Sequence, residues 1–391
     1  MSSPIWPDRS LFDAEHHDFR RSVAAYVERH VSPHLQRWDE VRMVDRTAWE
    51  AAGEAGLLGL GLPEDVGGAG TTDYRFRAVL IEELMRAGAT AVCVGFTTHT
   101  DITLPYLVDL ATPEIAARWL PDLVDGRRLA AIAMTEPGTG SDLRGIRTTA
   151  RRDGADWVLN GSKTFISNGI QADLVVVVAR TGGEKDPGGG LSLFVVERGA
   201  PGFTRGRQLK KVGLHAQDTA ELQFDDVRLD AAHLLGEEGR AMTYLKDHLA
   251  FERLGTAVTS CAGARAAIAW TVDYVTQRKA FGQAVADFQN TRFVLADLIT
   301  SVDVVQAFVD SCVLLQNDGR LDGVRAAKAK LAATEMHKRV VDSCLQLHGG
   351  YGYMEEYPIA RAFLDTRVAT IYGGTSEIMK VIIGADLLAT R

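Results

Sequence analysis

Cysteine is scarce in this sequence, and the few cysteines present are far apart. Cys93, Cys261, Cys312 and Cys344 form no CxxC pair, and each lies in an apolar stretch. This spacing argues against a disulfide framework and favours buried free thiols in a reducing compartment. We therefore predict a cytoplasmic protein without a metal site.

Long apolar runs and an excess of positive charge are also missing. No segment reads as a run of about 18 apolar residues, the length that typifies a membrane span, and the N-terminal residues lack the pattern of a signal peptide. The formal net charge is -8, whereas nucleic acids and anionic membranes attract clustered Lys and Arg. We expect neither a nucleic-acid partner nor a membrane partner.

The two commonest glycine loops for nucleotide binding are absent as well. There is no GxGxxG after a strand and no GxxxxGK[ST]. Strand patterns do not alternate with helical patterns, as they would in a doubly wound parallel sheet. A nucleotide cofactor would therefore have to be held by another arrangement.

The 391 residues divide into three parts by their hydrophobic pattern. Helical spacing dominates residues 1–126, short β-rich runs fill 127–240, and long helical patterns return over 241–391. A chain of this length is long for one hydrophobic core, which also favours several packed units. We predict an α+β, mainly α fold with a helical N-terminal domain, a small middle β domain and a helical C-terminal domain.

Three stretches carry residues suited to a planar or phosphorylated ligand. They are AIAMTEPGTGSD (131–142), with a Pro-Gly turn and several hydroxyls, KTFISNG (163–169), with an aromatic residue on a strand, and RKAFGQAVADFQ (278–289), with an arginine at a helix end. Turns with exposed N–H groups and hydroxyls suit a polar ring or a phosphate. Each stretch also has an ordinary explanation: a tight surface turn, a core aromatic side chain, and an arginine favoured by the helix dipole.

Five stretches taken together resemble the acyl-CoA dehydrogenase family over essentially the whole chain. They are MTEPGTGSD, KTFISNG, RKAFGQ with its following FQ, LQLHGGYGYMEEYP and IYGGTSEI, in this order, and FISNG, AQDTAEL, ERL, KAFG and IYGGT are most similar to the long-chain type. The resemblance implies a middle β-barrel or sandwich and a C-terminal four-helix bundle. It also implies FAD as cofactor, a fatty acyl-CoA as substrate, an electron-transfer flavoprotein as acceptor, and a homotetramer arranged as a dimer of dimers.

The same resemblance implies cofactor contacts for particular residues. Those along the flavin and pyrophosphate are Met134, Thr135, Gly140 and Ser141, and those supporting the isoalloxazine ring are Phe165, Ile166 and Ser167. Those reaching the diphosphate and adenine from a neighbouring subunit are Arg278, Phe281, Gln289, Gln346 and Gly350, and those near the adenosine are Thr375 and Glu377.

Such an enzyme needs a carboxylate that removes the α-proton of the acyl thioester. In many members of the family that acid follows the tyrosine of the C-terminal motif, where this chain has Gly373 after Tyr372. The long-chain and isovaleryl branches place the acid before an arginine on a long C-terminal helix, and here that pair is Glu252 and Arg253. The resemblance thus implies that Glu252 is the catalytic base and that Arg253 faces the CoA phosphates or fixes the helix.

The neighbours of Glu252 on its own helix support this assignment independently. His248, Leu249, Gly255 and Thr256 lie three or four residues away, so no lysine or arginine at that spacing offers an ion pair. A carboxylate on such an apolar face should be partly desolvated, which raises its pKa towards a value useful for a general base. The helix pattern alone also allows an exposed glutamate beside an ordinary surface arginine.

The stretch IYGGTSEIMK, residues 371–380, is the substrate side of the predicted site. Two glycines let the main chain approach the thioester and flavin, and an N–H group there would polarise the thioester carbonyl. Glu377 follows the expected N-cap, Thr375 or Ser376, and suits the positive end of a helix better than proton abstraction. The predicted substrate contacts are Ser141, Arg253, Tyr372, Gly373 and Gly374.

Several alternatives stay open at this stage. An oxygen-using acyl-CoA oxidase or flavin monooxygenase has the same scaffold, and the acyl group could be short and branched or arrive on a carrier protein. GFTTHTDITLPYL, residues 95–107, suits either a lining of the acyl pocket or simple helix packing. A nucleic-acid-binding relative is disfavoured, because residues 241–391 contain equal numbers of basic and acidic side chains.

Overall fold

The computed structural model describes residues 5–183, 186 and 190–389, and its helices and strands follow the predicted helical, β, helical order. The first part contains α1 (Ala14–His30), α2 (Leu35–Val41), α3 (Arg46–Glu54), α4 (Tyr74–Arg86), α5 (Thr90–Thr97), α6 (Leu104–Leu110) and α7 (Pro113–Val124). The middle part contains β1 (Ala130–Ala133), β2 (Thr149–Asp153), β3 (Asp156–Ser167), β4 (Leu174–Arg180), β5 (Leu191–Glu197), β6 (Phe203–Gln208), β7 (Thr219–Leu229) and β8 (Leu234–Leu235). The last part contains α8 (Ala241–Gln277), the hairpin of β9 (Lys279–Ala280) and β10 (Gln283–Ala284), α9 (Gln289–Asn317), α10 (Gly323–His348), α11 (Pro358–Thr366) and α12 (Ser376–Ala389). The predicted fold class is confirmed.

The middle part is one mixed sheet of eight strands. Its order is β6-β7-β3-β2-β4-β5-β8, with β1 added in parallel to β4. Strand β4 is buried on both faces, and its side chains alternate between two hydrophobic clusters as the period of a strand requires. Val175 and Val177 pack inside the sheet with Trp157, whereas Val176 and Val178 pack in the cluster that also contains side chains of α6 and α7. The sheet is therefore fixed against the N-terminal helices.

Helix α8 is the element that joins the parts of the chain. Its 37 residues pack against α4, α9, α10 and α11, and its first turn also contributes to the cluster beneath the sheet. A Cβ on Gly263 would lie 2.5 Å from His337 Cε1 of α10 and 2.8 Å from Met85 Cε of α4. Glycine at this position therefore lets three helices meet closely, and this packing fixes how α8 presents its other residues.

One helix departs from the expectation that the chain lacks long apolar segments. By length and composition alone, α9 could cross a membrane, since its most apolar window has a mean hydropathy of 1.7. Core helices of soluble proteins pass the same test, but only 33% of that window is buried. Phe293, Val304 and Leu314 of α9 are among the exposed large apolar side chains.

The close packing at Gly263 gives a stability prediction. Gly263→Ala should lower the melting temperature and destabilise the protein by about 1–3 kcal/mol, because the added methyl group forces apart His337 and Met85. The matched control is Gly323→Ala in the first turn of α10, where a Cβ would meet no atom within 4 Å. Thermal melts of both variants test this; equal melting temperatures for the two would contradict the packing described here.

Candidate active site

Glu252 lies in the first half of α8 with its side chain turned into the protein. Its Oε1 atom is buried, and it has no hydrogen-bond partner among the described residues. Burial raises the pKa of the Glu252 carboxyl to about 7, although the charge of Arg253 and the hydroxyl of Tyr106 oppose the shift. A carboxyl with this pKa can take up a proton near neutral pH, which is what a general base requires.

Tyr106, on α6, is the side chain that approaches the Glu252 carboxylate from the N-terminal part. Its ring packs edge-on against the His248 ring, with the centroids 4.5 Å apart, and its hydroxyl is buried. Burial and the nearby Glu252 charge raise the pKa of Tyr106 far above its usual value. Among the described residues the hydroxyl has no partner that meets both the distance and the angle of a hydrogen bond, yet it lies close enough to lower the pKa of the Glu252 carboxyl.

Two buried cations lie on the other side of the site. Arg253 is 7% exposed, and its Nε has no hydrogen-bond partner in the described part of the chain. Lys330, on α10, is buried and donates a hydrogen bond from Nζ to the carbonyl oxygen of Gly374, at 2.6 Å. Burial and the nearby charge of Arg253 lower the pKa of Lys330 to about 8. Lys330 thus brings a buried cation to the turn that contains Gly374, and Arg253 lies near that cation.

That turn is the IYGG segment, and both its glycines have left-handed backbone. Gly373 has φ +61° and Gly374 has φ +91°, which glycine adopts with little strain. A Cβ on Gly374 would overlap Met379 Cε at 2.7 Å, whereas a Cβ on Gly373 would meet only Lys330 Cε, at 3.6 Å. Gly373 is therefore required by its backbone angles more than by crowding. Tyr372 is half-buried beside it.

Thr375 and Glu377 begin the helix that follows the turn. The Thr375 hydroxyl accepts a hydrogen bond from the Ile378 N–H at 3.3 Å, which confirms the predicted N-cap. Glu377 is exposed, and its own backbone N–H and the Thr375 hydroxyl lower the pKa of its carboxyl. This carboxylate stays ionised and solvated, in contrast to that of Glu252.

The turn after β1 is locked to β3 by a buried ion pair that sequence reasoning missed. Lys163 Nζ lies 2.8 Å from Glu136 Oε1 and donates to the Met134 carbonyl at 3.0 Å. The Thr164 N–H donates to the Thr135 carbonyl at 2.9 Å. Met134 and Thr135 are half-buried, and Gly140 and Ser141, further along the same turn, are exposed. Both members of the ion pair stand inside the two motifs that were quoted from the sequence.

Phe165 combines a left-handed backbone conformation with an exposed aromatic ring. It lies where the register of β3 shifts, between Lys163 and Ile166, with φ +61° and 68% of its side chain exposed. A non-glycine residue with this backbone costs about 1–3 kcal/mol and is often found at binding sites. Ile166 is buried in the sheet and Ser167 is half-buried, so only the Phe165 ring is freely presented.

A second cleft, of about 490 Å³, opens at the far end of α8 and α10. Arg278, Gln346 and Gly350 line it together with aromatic side chains, and the Arg278 guanidinium lies 5.5 Å from the Tyr351 ring centroid. No residue of the β sheet lines this cleft. The predicted cofactor residues therefore form two groups on one chain, one beside the sheet and one here.

Phe281 and Gln289 belong to neither group of lining residues. Phe281 is at the tip of the β9–β10 hairpin, with φ +52° and 97% exposure, and its ring lies 6.2 Å from that of Phe288. Gln289 is exposed at the first residue of α9. Phe281-Gly282 has the two positive φ angles of a tight hairpin turn, so the turn accounts for the backbone of Phe281 but not for the exposure of its ring.

The stretch 95–107 forms part of the wall of a small cavity of about 10 Å³, room for one water molecule. It includes a π-helical turn, Thr98–Thr103, between α5 and α6, and such turns are frequent at functional sites. Arg77 Nε donates to Asp101 Oδ1 at 2.7 Å on the cavity wall, and the Phe251 ring lies 4.9 Å from the Arg77 guanidinium. Phe251, the residue before Glu252, therefore packs against Arg77 on the wall of this cavity.

Comparison with known proteins agrees with the motifs and the fold. Models of the acyl-CoA dehydrogenase N-terminal, middle and C-terminal domains match residues 13–127, 131–227 and 239–388. The long-chain specific acyl-CoA dehydrogenase, mitochondrial, of Sus scrofa is 47% identical over 381 residues, which cover 97% of this chain and 88% of that protein.

Solved structures agree as closely. The crystal structure of an acyl-CoA dehydrogenase from Geobacillus kaustophilus has a TM-score of 0.94 at 44% identity, covering 97% of this chain and 100% of that one. A glutaryl-CoA dehydrogenase from Mycobacterium smegmatis in complex with FADH2 has a TM-score of 0.90 at 27% identity, covering 100% and 99%. The chain therefore belongs to the acyl-CoA dehydrogenase family.

Proposed function

We propose that this protein is an FAD-dependent dehydrogenase that converts a fatty acyl-CoA thioester to the trans-2-enoyl-CoA, with Glu252 as the base. The observation that carries the assignment is the buried Glu252 carboxylate, which has a pKa of about 7 and one oxygen that no described residue hydrogen-bonds. Burying a carboxyl group without a partner destabilises a folded protein. Carboxyl groups with strongly shifted pKa values are typical of active sites.

The residues of this chain divide the reaction between them. Glu252 takes the α-proton of the acyl group, and the electron pair left on the α-carbon is delocalised onto the thioester oxygen. The N–H of Gly373 donates a hydrogen bond to that oxygen and stabilises its developing charge. A bound FAD, held by the cofactor residues beside the sheet, would supply the acceptor for the β-hydrogen, which leaves as a hydride. The buried Arg253 lies next to Glu252 in the chain, and its positive charge favours the ionised, proton-accepting form of the Glu252 carboxyl.

FAD fits the two groups of cofactor residues described above. The half-buried Met134 and Thr135, the projecting Phe165 ring and the Ser167 hydroxyl offer a flat, partly polar surface for the isoalloxazine ring. The 490 Å³ cleft beside Arg278 offers a cation and aromatic rings, which suit a diphosphate and an adenine. The set of cofactor contacts given under Sequence analysis stays a prediction.

We also propose that the active form is a homotetramer in which each flavin site is completed by a neighbouring copy. The cleft at Arg278 is lined only by C-terminal residues, the Phe281 ring is 97% exposed, and α9 shows apolar side chains at its surface. Exposed apolar surface of this kind typifies protein interfaces. We infer that a second copy of this chain covers these surfaces and supplies the remaining residues of the flavin site.

A fatty acyl-CoA of long chain is the substrate class that the likeness to the long-chain enzyme favours. We propose an electron-transfer flavoprotein as the electron acceptor. Anaerobic reduction of that partner indicates a dehydrogenase, whereas peroxide release in air indicates the oxidase alternative.

Four free and buried cysteines suit a reducing compartment. We propose that the protein lies in the cytoplasm, which cell fractionation would test.

The first prediction concerns the base. Glu252→Gln should keep the oxidised flavin spectrum and bind acyl-CoA, yet lose flavin bleaching under anaerobic titration by a factor of at least about 10³, because the amide cannot accept the proton. Glu28→Gln, at an exposed position of α1, is the matched control and should bleach normally. Normal turnover by the Glu252→Gln variant would show that Glu252 is not the catalytic base. A series of acyl-CoAs of increasing length in the same titration identifies the substrate.

The second prediction concerns pH. Since Glu252 must be ionised to act and its pKa is about 7, kcat/KM should fall about tenfold per pH unit below pH 7. Tyr106→Phe removes a hydroxyl that lowers this pKa, so the acid limb should move to higher pH. Tyr26→Phe, which removes a buried hydroxyl bonded to the Ala48 carbonyl, is the control. An acid limb that stays in place or moves to lower pH in the Tyr106 variant contradicts the prediction.

The third prediction concerns assembly. Light scattering should give a mass of four times the 42.5-kDa chain. Phe293→Asp on α9 should reduce the mass and release FAD, because a charge on the interface separates the copies that complete each flavin site. Val41→Asp, an exposed apolar residue of α2, should change neither. A full-length holoprotein that is monomeric and retains FAD would refute the shared site.

A further inference from the structure

Lys330 is a buried cation that the reaction scheme above does not need. Its side chain is among the largest fully buried ones in the protein. Within the described residues its ammonium makes one hydrogen bond, to the Gly374 carbonyl at 2.6 Å, and no ion pair. An ammonium removed from water without a counter-ion destabilises a fold by several kcal/mol, so its presence calls for a compensating role.

The surroundings of Lys330 make the cost larger. Arg253 of α8 is also buried and is close enough to lower the pKa of Lys330 by repulsion, in addition to the effect of burial. The nearby carboxylate of Glu252 acts on Arg253, but it does not count among the groups that shift Lys330. Arg253 and Lys330 therefore share a region in which positive charge exceeds negative charge. A negative charge that develops there during the reaction would be stabilised.

The place of Lys330 relative to the glycine turn indicates where that charge develops. Its Cε lies 3.6 Å from the point that a Cβ on Gly373 would occupy, and its Nζ holds the next carbonyl, that of Gly374. The lysine thus lies against the peptide groups whose N–H faces the substrate in the proposed reaction. A cation at this place polarises the turn and favours negative charge on an atom bound to it.

A purely structural role accounts for Lys330 less well. Helix α12 is already tied to α10 one turn along, where the Ser376 hydroxyl donates to Glu335 Oε1 at 2.8 Å. Glu335 is partly exposed and pairs with Lys338 at 2.7 Å. The attachment of the turn to α10 therefore has a second contact, which requires no buried charge.

We propose that Lys330 is a positioning residue of the dehydrogenation site: it holds the Gly373–Gly374 turn through the Gly374 carbonyl, and its unpaired charge stabilises the enolate formed on the thioester oxygen. This inference rests on the proposed function, because it requires Glu252 to remove the α-proton and Gly373 to receive the oxygen. In that step the C–H bond breaks, the proton goes to Glu252, and the electron pair goes to the thioester.

A substrate analogue separates enolate formation from turnover. A 3-thia-acyl-CoA has an acidic α-proton but a sulfur atom in place of the β-carbon, so it can lose the proton and cannot donate a hydride. The bound anion gives a long-wavelength absorption with oxidised flavin, and a pH titration of that band gives the apparent pKa of the bound analogue. The holoenzyme is used throughout.

Lys330→Met removes the charge with little change of volume. The apparent pKa of the bound analogue should rise by at least one unit, a tenfold loss of anion at a given pH, and kcat should fall about 10²-fold or more, as on removal of an oxyanion donor. Lys338→Met, on the same helix but 46% exposed, should match the wild type. A Lys330→Met protein with the apparent pKa of the Lys338 control overturns the proposal.

Two further variants make the outcomes distinct. If Lys330→Met does not retain FAD, Lys330→Gln, which keeps a donor for the Gly374 carbonyl, takes its place; a raised apparent pKa supports the proposal and an unchanged one overturns it. Glu252→Gln tests the proposed function separately. Loss of the band in that variant together with an unshifted Lys330 variant refutes only the role of Lys330, whereas a normal band with Glu252→Gln refutes the base assignment.

Discussion

The burial of one carboxylate without an ion-pair partner is the constraint on which the active site depends. The Oε1 atom of Glu252 is buried, Tyr106 is close enough to affect the carboxyl, and burial raises the pKa of this carboxyl to about 7. Further along the same helix, Gly263 lets α8 pack closely against His337 and Met85. The proposed base therefore stands on a helix that the fold holds tightly, and its pKa is set by its burial.

The second feature of the site is buried positive charge beside the Gly373–Gly374 turn. Lys330 of α10 contacts the turn at Gly373 and Gly374, and Arg253 of α8 is close enough to Lys330 for its charge to lower the Lys330 pKa. A Cβ at position 373 would lie 3.6 Å from Lys330 Cε. In the proposed reaction the base is Glu252 on α8, and Lys330 lies against the backbone that would receive the thioester oxygen.

Much of this could be predicted from the sequence, and the remainder could not for physical reasons. The raised pKa of Glu252 was predictable because no lysine or arginine lies three or four residues away on its own helix, whereas its role as the base stays a prediction from the resemblance. Lys330 and Tyr106 escaped detection because their importance comes from contacts between helices far apart in the chain. The Glu136–Lys163 ion pair was hidden in the same way, although both residues stand inside quoted motifs. The exposed apolar surface of α9 likewise required knowledge of which side chains the fold leaves uncovered.

Hydrogen exchange at the substrate α-carbon tests the role of Glu252 most directly. Saturated acyl-CoA is incubated anaerobically in D2O with the holoenzyme and no electron acceptor, and deuterium in the recovered thioester is measured by mass spectrometry. The wild-type enzyme should place deuterium at the α-carbon, and Glu252→Gln should place none above the rate without enzyme. Exchange by the Glu252→Gln enzyme at the wild-type rate would show that another group removes the proton.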